Sequence, residues 1–118
     1  MKKVYYLSTC DTCKRVMDEI EIPPTFIKQD IKTEAITEKE LENLKKLVGD
    51  YESLFSRRAK LFQQRNLKNE KLLEEDYKQL ILEHYTFLKR PVIVNNNEIF
   101  IGSSPKTIAA ARESIHSN

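Results

Sequence analysis

Short apolar runs and longer periodic stretches follow one another along the chain, and their order predicts its elements. Val4-Tyr5-Tyr6-Leu7 is a compact, β-rich apolar run that reads as a strand. Over 13–20, Val16, Met17 and Ile20 lie one turn apart, which predicts a helix. Pro23-Pro24 keep Ile22 and Pro23 out of the helical region and introduce a second short strand over Thr25 to Lys28. A further helix starts at Thr37, where Thr37 and Glu40 have capping-box spacing. Leu41, Leu44, Leu47 and Val48 line its face, and Gly49 stops it. Residues 51–66 predict one or two short helices. Over 75–88, Tyr77, Leu80, Ile81, His84 and Leu88 keep the helical period, so one helix is expected there. Val92-Ile93-Val94 and Glu98 to Gly102 form a β-hairpin across Asn95-Asn96-Asn97, since asparagine tolerates positive φ. Ser104-Pro105 then open a last helix as N-cap and first residue, with Ile108, Ala109, Arg112 and Ile115 on one side.

The order is βαβ, a helical stretch, then ββα, with no internal repeat or linker. With 118 residues, one domain over 1–118 is expected, with a helical insertion at about 37–88. Two Gly and four Pro exclude collagen-like and low-complexity classes, and 40% hydrophobic content argues against wholesale disorder. No uncharged apolar run approaches a membrane span, and the Met-Lys-Lys opening continues too briefly for a signal peptide. A cytoplasmic monomer without membrane contact is the expectation. The net charge of +2 gives no general case for direct nucleic-acid binding. One local exception is 57–71, where Arg57, Arg58, Lys60, Arg65, Lys68 and Lys71 face only Glu70. Such a cluster reads as a solvated helix face, an anion site or a surface for an acidic partner.

The two cysteines stand together as Cys10-Asp-Thr-Cys13. A disulfide framework in a small secreted domain needs more cysteines spread over longer loops. Zinc needs four ligands, and beyond this pair only His84 and His116 are candidates, so no metal is expected. Two unrelated core thiols are the bland alternative. Position favours redox chemistry, because the pair lies where a strand ends and a helix begins. First-turn N–H groups and the helix dipole stabilise a thiolate there, with Cys10 the more exposed. Side chains at i and i+3 point to the same side, within reach of a disulfide. Lys14 and Arg15 favour the anion and Asp11 opposes it. The favoured reading is a reactive Cys10 with Cys13 as the resolving thiol. His84, on its apolar stripe, reads as a buried or capping histidine rather than a catalyst.

Setting aside the helical middle leaves the plan of a thioredoxin-like (glutaredoxin-like) α/β domain: a small mixed sheet with flanking helices and a dithiol after the first strand. That fold opens its third strand with a cis-proline beside the dithiol, and Pro91 stands in that place. The block Tyr5-x-x-x-x-Cys10-x-x-Cys13-Lys14, the stretch Leu54-Phe55-Ser56-Arg57-Arg58 followed by Phe62 and Leu67, and His84 through Arg90-Pro91-Val92-Ile93-Val94 resemble the ArsC/Spx/YffB family. The resemblance runs nearly end to end.

In the family's arsenate-reducing members a nucleophilic cysteine is surrounded by three arginines that bind the oxyanion. The resemblance implies Cys10 as nucleophile and Arg90 as the arginine before the cis-proline, with Arg57 or Arg58 approximating the middle one. Gly102-Ser103-Ser104 occupy the place of the third, so that arginine is missing, and Tyr85 stands where the family usually has proline after the histidine. Each charge-assisted bond contributes roughly 1.5–3 kcal/mol. Losing one of three therefore weakens oxyanion binding by about one to two powers of ten, unless Ser103, Ser104 or a backbone N–H substitutes. Cys13 makes an internal Cys10–Cys13 disulfide feasible, as in the Spx-like regulators. The phosphatase-like class of arsenate reductases is excluded, since Val16 stands where its anion loop needs arginine.

The resemblance thus implies a thiol-dependent oxidoreductase acting on arsenate or a thiol/disulfide substrate held by Arg57, Arg58, Arg90 and Pro91. No bound cofactor is expected, with glutathione and glutaredoxin, or thioredoxin, as external reductant. The alternative is an Spx-like redox-sensing transcription regulator that binds the RNA polymerase α subunit. A thioredoxin-like domain with incidental thiols is the remaining reading.

Overall fold

A computed structural model describes residues 1–117. In chain order the elements are β1 (Lys2–Tyr6), α1 (Asp11–Ile20), β2 (Ile27–Asp30), α2 (Glu38–Val48), α3 (Lys60–Gln64), α4 (Glu74–Glu83), β3 (Val92–Asn95), β4 (Glu98–Ile101) and α5 (Pro105–His116). Single 3₁₀ turns lie at Glu52–Leu54, Leu67–Asn69 and Tyr85–Phe87. They form two compact units, one made of Met1–Glu34 with the segment from Arg90 onward, the other of Ala35–Lys89.

In the first unit the four strands are ordered β2-β1-β3-β4. β1 and β2 run parallel, as a strand–helix–strand crossover requires, whereas β3 is antiparallel to both β1 and β4. Val4 and Ile93 are register partners on one face, where Val16 and Ile20 of α1, Phe26, and Ile108 and Ala111 of α5 cover them. Tyr5, Val92 and Val94 point the other way and are buried too. A strand buried on both faces needs no polar alternation, which explains the unbroken Val92-Ile93-Val94 run. The hairpin turns at Asn96 with φ 59°, as its asparagines anticipate. Ser104 caps α5, accepting from the Thr107 N–H at 3.1 Å, with Pro105 at the first turn. From α5, Arg112 binds the Glu19 carbonyl and the Glu21 carboxylate, while His116 Nε2 donates to the Ile20 carbonyl at 2.7 Å and the Glu21 carbonyl at 3.0 Å. These cationic and donor groups satisfy the open carbonyls at the end of α1.

In the second unit α2 begins with a full capping box: Thr37 Oγ1 accepts from the Glu40 N–H at 3.1 Å and Glu40 Oε1 from the Thr37 N–H at 3.0 Å. Gly49 ends the helix at φ 114°, a conformation that favours glycine. Lys78 of α4, with its side chain only 12% exposed, joins Glu38 and Glu42 of α2 at 2.9 and 3.1 Å. Phe55 centres an aromatic core, its ring 4.9 Å from Tyr77, 5.4 Å from Phe87 and 5.9 Å from Phe62.

Two boundaries and one inward-facing position differ from the pattern. β2 starts at Ile27 rather than Thr25, because the Phe26 N–H bonds to the Pro23 carbonyl at 3.1 Å and closes a turn over the intervening residues. The helix expected over 75–88 ends at Glu83. There His84 turns extended, and its Nδ1 accepts from the Thr86 N–H at 3.1 Å, capping a new 3₁₀ turn. His84 is therefore the capping histidine anticipated above. On α5 the inward alanine is Ala111, while Ala109 is exposed.

Candidate functional site

After β1 ends, the chain makes a turn closed by the Cys10 N–H on the Leu7 carbonyl at 3.0 Å. Cys10 then occupies the N-cap of α1, extended at φ −100°, ψ 109°. Its carbonyl enters the helix by accepting from the Lys14 N–H at 3.3 Å. Ser, Thr, Asp or Asn normally fills this position, because their oxygens accept the orphan N–H groups of the first turn. A neutral thiol is a poor acceptor and makes no such cap here, but a thiolate is a good one. The residue choice thus leaves a ready donor site whose demand only an ionised sulfur meets.

Cys10 and Cys13 are both free thiols, Cys10 half-buried and Cys13 fully buried. Burial pushes the Cys10 thiol up, but the Cys13 N–H and side chain, the Arg90 guanidinium and the Thr12 N–H together outweigh it, leaving Cys10 below the usual thiol value. Cys13 goes the other way. Burial above all, helped by the Cys10 sulfur beside it, pushes it up to about 12, although the Leu7 backbone and the Arg90 guanidinium act to lower it. One turn of helix therefore separates a thiol that ionises readily from one that holds its proton. The residue types alone do not reveal this; Cys13 is sealed because it shares the inward side of α1 with Val16 and Ile20.

Arg90 stands immediately before β3, and the Arg90–Pro91 peptide is cis. Pro91 is buried, and its carbonyl accepts from the Gly102 N–H at 3.0 Å. The structure thus brings Cys10, Cys13 and Arg90 together within one unit. Arg15 plays a different part from the one expected, since its guanidinium pairs with Glu19 at 3.1 Å. Ser104, a candidate substitute for the missing arginine, spends its hydroxyl on the α5 cap, donating to Thr107 Oγ1 at 2.8 Å. Ser103 is half-buried beside it in the chain.

Arg57 and Arg58 belong to the other unit. Arg57 Nη2 donates to both Glu52 Oε2 and the Tyr77 hydroxyl at 2.8 Å, so its guanidinium is engaged locally. Arg58 is exposed and has no ion pair or hydrogen bond among the described residues.

One feature of the thiol loop escaped the sequence reading. The carboxylate of Asp30, at the end of β2, accepts from the hydroxyl and N–H of Ser8, and these bonds hold it below the usual carboxylate range. An open groove of about 550 Å³ lies along the other side of α1, between Tyr6, Met17 and Ile22 with Lys14 and Lys28 at its edges; neither Cys10 nor Arg90 lines it. Among the described residues no group of three or more His, Cys, Asp or Glu is placed to hold a metal ion, and no helix is long and apolar enough to cross a membrane.

The model of the ArsC family matches residues 5–111, which spans both cysteines and Arg90. The global transcriptional regulator Spx of Bacillus subtilis is 28% identical over 106 residues, covering 86% of this chain and 79% of that protein. The global transcriptional regulator Spx of Streptococcus pneumoniae is 25% identical over 114 residues, covering 93% and 84%. Among solved structures, an arsenate reductase from Vibrio cholerae superposes with a TM-score of 0.76 at 18% identity, covering 93% of this chain and 98% of that one. At that identity the likeness concerns the fold, a thioredoxin-like mixed sheet with flanking helices.

Proposed function

The chain belongs to the ArsC family, and on that premise we propose that it is a thiol oxidoreductase with Cys10 as nucleophile and Cys13 as resolving thiol. The observation that carries this is the opposed titration of the two sulfurs: Cys10 is shifted toward its anion and Cys13 held neutral at about 12. With a disulfide substrate, Cys10 thiolate attacks one sulfur, forms a mixed disulfide and expels the other sulfur as a thiolate. Cys13 then attacks the Cys10 sulfur, its proton passing to the leaving thiolate, and a Cys10–Cys13 disulfide remains. Two electrons have moved to the substrate. Covalent capture removes the negative Cys10 sulfur, one of the effects that keep Cys13 protonated, so Cys13 ionises more easily after the first step than before it. Glutathione with glutaredoxin, or thioredoxin, returns the two electrons.

With arsenate, Cys10 displaces an oxygen as water to form a thiol–arsenate ester. Attack by Cys13 or glutathione on the Cys10 sulfur then leaves arsenite and a disulfide, the sulfurs oxidised and arsenic reduced. Arg90 and Pro91 flank the bound anion in this reading. The Arg57 guanidinium is already taken by Glu52 and Tyr77, so this reading rests on Arg90 and Pro91. With serines where the family places a third arginine, a disulfide substrate fits the site better than arsenate.

NADPH consumption coupled through glutaredoxin and glutathione, or through thioredoxin, tests this with arsenate and with a mixed-disulfide peptide. Cys10→Ser abolishes turnover, and Cys13→Ser slows it or shifts its dependence to glutathione. Arg90→Ala lowers the rate of Cys10 alkylation at neutral pH. Turnover surviving Cys10→Ser refutes the assignment.

A second reading is favoured by the curated relatives, which are named global transcriptional regulators. In it the dithiol state switches binding to the RNA polymerase α subunit. Capture of that subunit by the reduced or the oxidised protein alone, with no turnover in the coupled assay, supports this reading over the enzyme.

A further inference from the structure

We infer that Asp30 is a positioning residue for the Cys10 thiolate, acting through Ser8. The inference rests on the reading of Cys10 as the reactive thiol and deepens it. Tyr6 and Asp30 are the last register partners of the parallel β1–β2 pair, and the Ile31 N–H continues the ladder onto the Tyr6 carbonyl at 3.0 Å. The end of β2 therefore lies alongside the point where the thiol loop leaves β1. That loop is short: Leu7 accepts from the Cys10 N–H, and Ser8 and Thr9 span the gap. Ser8 is fastened by both its hydroxyl and its N–H to the Asp30 carboxylate. Asp30 is itself fixed, because Oδ1 also accepts the Lys32 N–H at 3.1 Å and its carbonyl accepts from Glu34 N–H at 2.8 Å and Thr33 Oγ1 at 3.3 Å.

The thiolate depends on geometry at the first turn of α1, where Thr12 and Cys13 N–H must meet the sulfur. A loop free to drift moves the N-cap away from those donors. The groups that act on the sulfur are Cys13 and Thr12 of α1 and Arg90 before β3; Asp11 and Lys14 lie exposed on α1, and Lys32 accompanies Asp30.

Positioning and bare electrostatics predict opposite signs. Asp30 carries a negative charge, so its removal by charge alone makes a nearby thiolate easier to form. Loss of the Ser8 anchor makes it harder. The test follows iodoacetamide alkylation of Cys10 against pH, by peptide mass spectrometry, in the full chain. Asp30→Ala is expected to slow the reaction at neutral pH by about threefold or more and move the profile to higher pH. Asp30→Asn, which keeps one acceptor oxygen without the charge, reacts faster than Asp30→Ala. An unchanged or faster Asp30→Ala, or an Asn variant as slow as the Ala one, overturns the inference. Should Asp30→Ala fail to give a native circular dichroism spectrum, Ser8→Ala decides: it keeps the Asp30 charge, loses the hydroxyl anchor and must still react more slowly than the parent. A parent Cys10 that reacts no faster than an ordinary free thiol overturns the reading of Cys10 itself, and this inference with it.

Discussion

Ile20 and Ile27 are the same residue type in the same unit, yet Ile20 is wholly buried at the end of α1 and Ile27 is 60% exposed on β2. Truncating each to alanine isolates what burial contributes to the helix that carries the thiols. Three carbons are lost in either case, worth about 2.4 kcal/mol of transfer free energy if fully buried, at ~0.8 kcal/mol per carbon. Ile20 sits among Val4, Val16, Phe26, Ile93 and Ile108, which cannot all close the gap. A residual cavity of about 50 Å³ adds ~1 kcal/mol, so Ile20→Ala costs about 3–4 kcal/mol. Ile27→Ala loses only the buried part of its transfer term and leaves no cavity, for about 1 kcal/mol or less. Urea unfolding by far-UV circular dichroism measures both. The chemistry responds as well, because Cys13 is fully buried and must open to react. If opening is in rapid equilibrium, a loss of about 3 kcal/mol raises N-ethylmaleimide labelling of Cys13 by about two powers of ten. Equal costs for the two variants, or unchanged Cys13 labelling in Ile20→Ala, refute the claim that this core seals Cys13.

Two further outcomes are expected. Thr37→Ala removes the hydroxyl acceptor of the α2 capping box and frees Glu40 from its partner, costing about 0.5–2 kcal/mol in urea unfolding, whereas Thr37→Ser restores most of it. The thiols also set opposite pH dependences of stability. Cys10, lowered on folding, contributes stability that is complete above the unfolded thiol value and lost as pH falls through its folded value. Cys13, raised from 9.0 to about 12, contributes stability that is complete below the unfolded value and lost as pH rises from there toward about 12. Comparing urea midpoints at about pH 8 and about pH 10.5 must therefore show a steeper alkaline loss in the parent protein than in Cys13→Ala; equal slopes contradict a buried, neutral Cys13.

Much of the site was legible because its parts are local in sequence. A strand followed at once by a cysteine at a helix start, with a second cysteine one turn on, fixes the dithiol without tertiary information, and Arg90-Pro91 before an apolar run marks the opening of β3. The division of labour between the sulfurs was legible only in outline, since it depends on which side of α1 packs inward. Arg57 looked like a free anion ligand until folding brought it to Tyr77, 20 residues away. Ser8 and Asp30 carry no motif, and only the parallel register brings the end of β2 beside the thiol loop.

Signals that act through the nearest few residues were thus determined by the amino-acid order: the capping box at Thr37, the glycine stop at Gly49, the left-handed asparagine at Asn96 and the proline start of α5. Each is decided by sterics or by a hydrogen bond within one turn. What tertiary structure decided are the outcomes of competition between local and distant partners. Helical periodicity through His84 gave way to a capping imidazole, and the ionisation of Cys10 and Cys13 was divided by the burial of Cys13 and by the Cys13 and Thr12 N–H groups that act on Cys10. A side chain's pKa and a strand's ends depend on what the rest of the chain brings within a few ångströms, and pattern along the sequence carries no such distances.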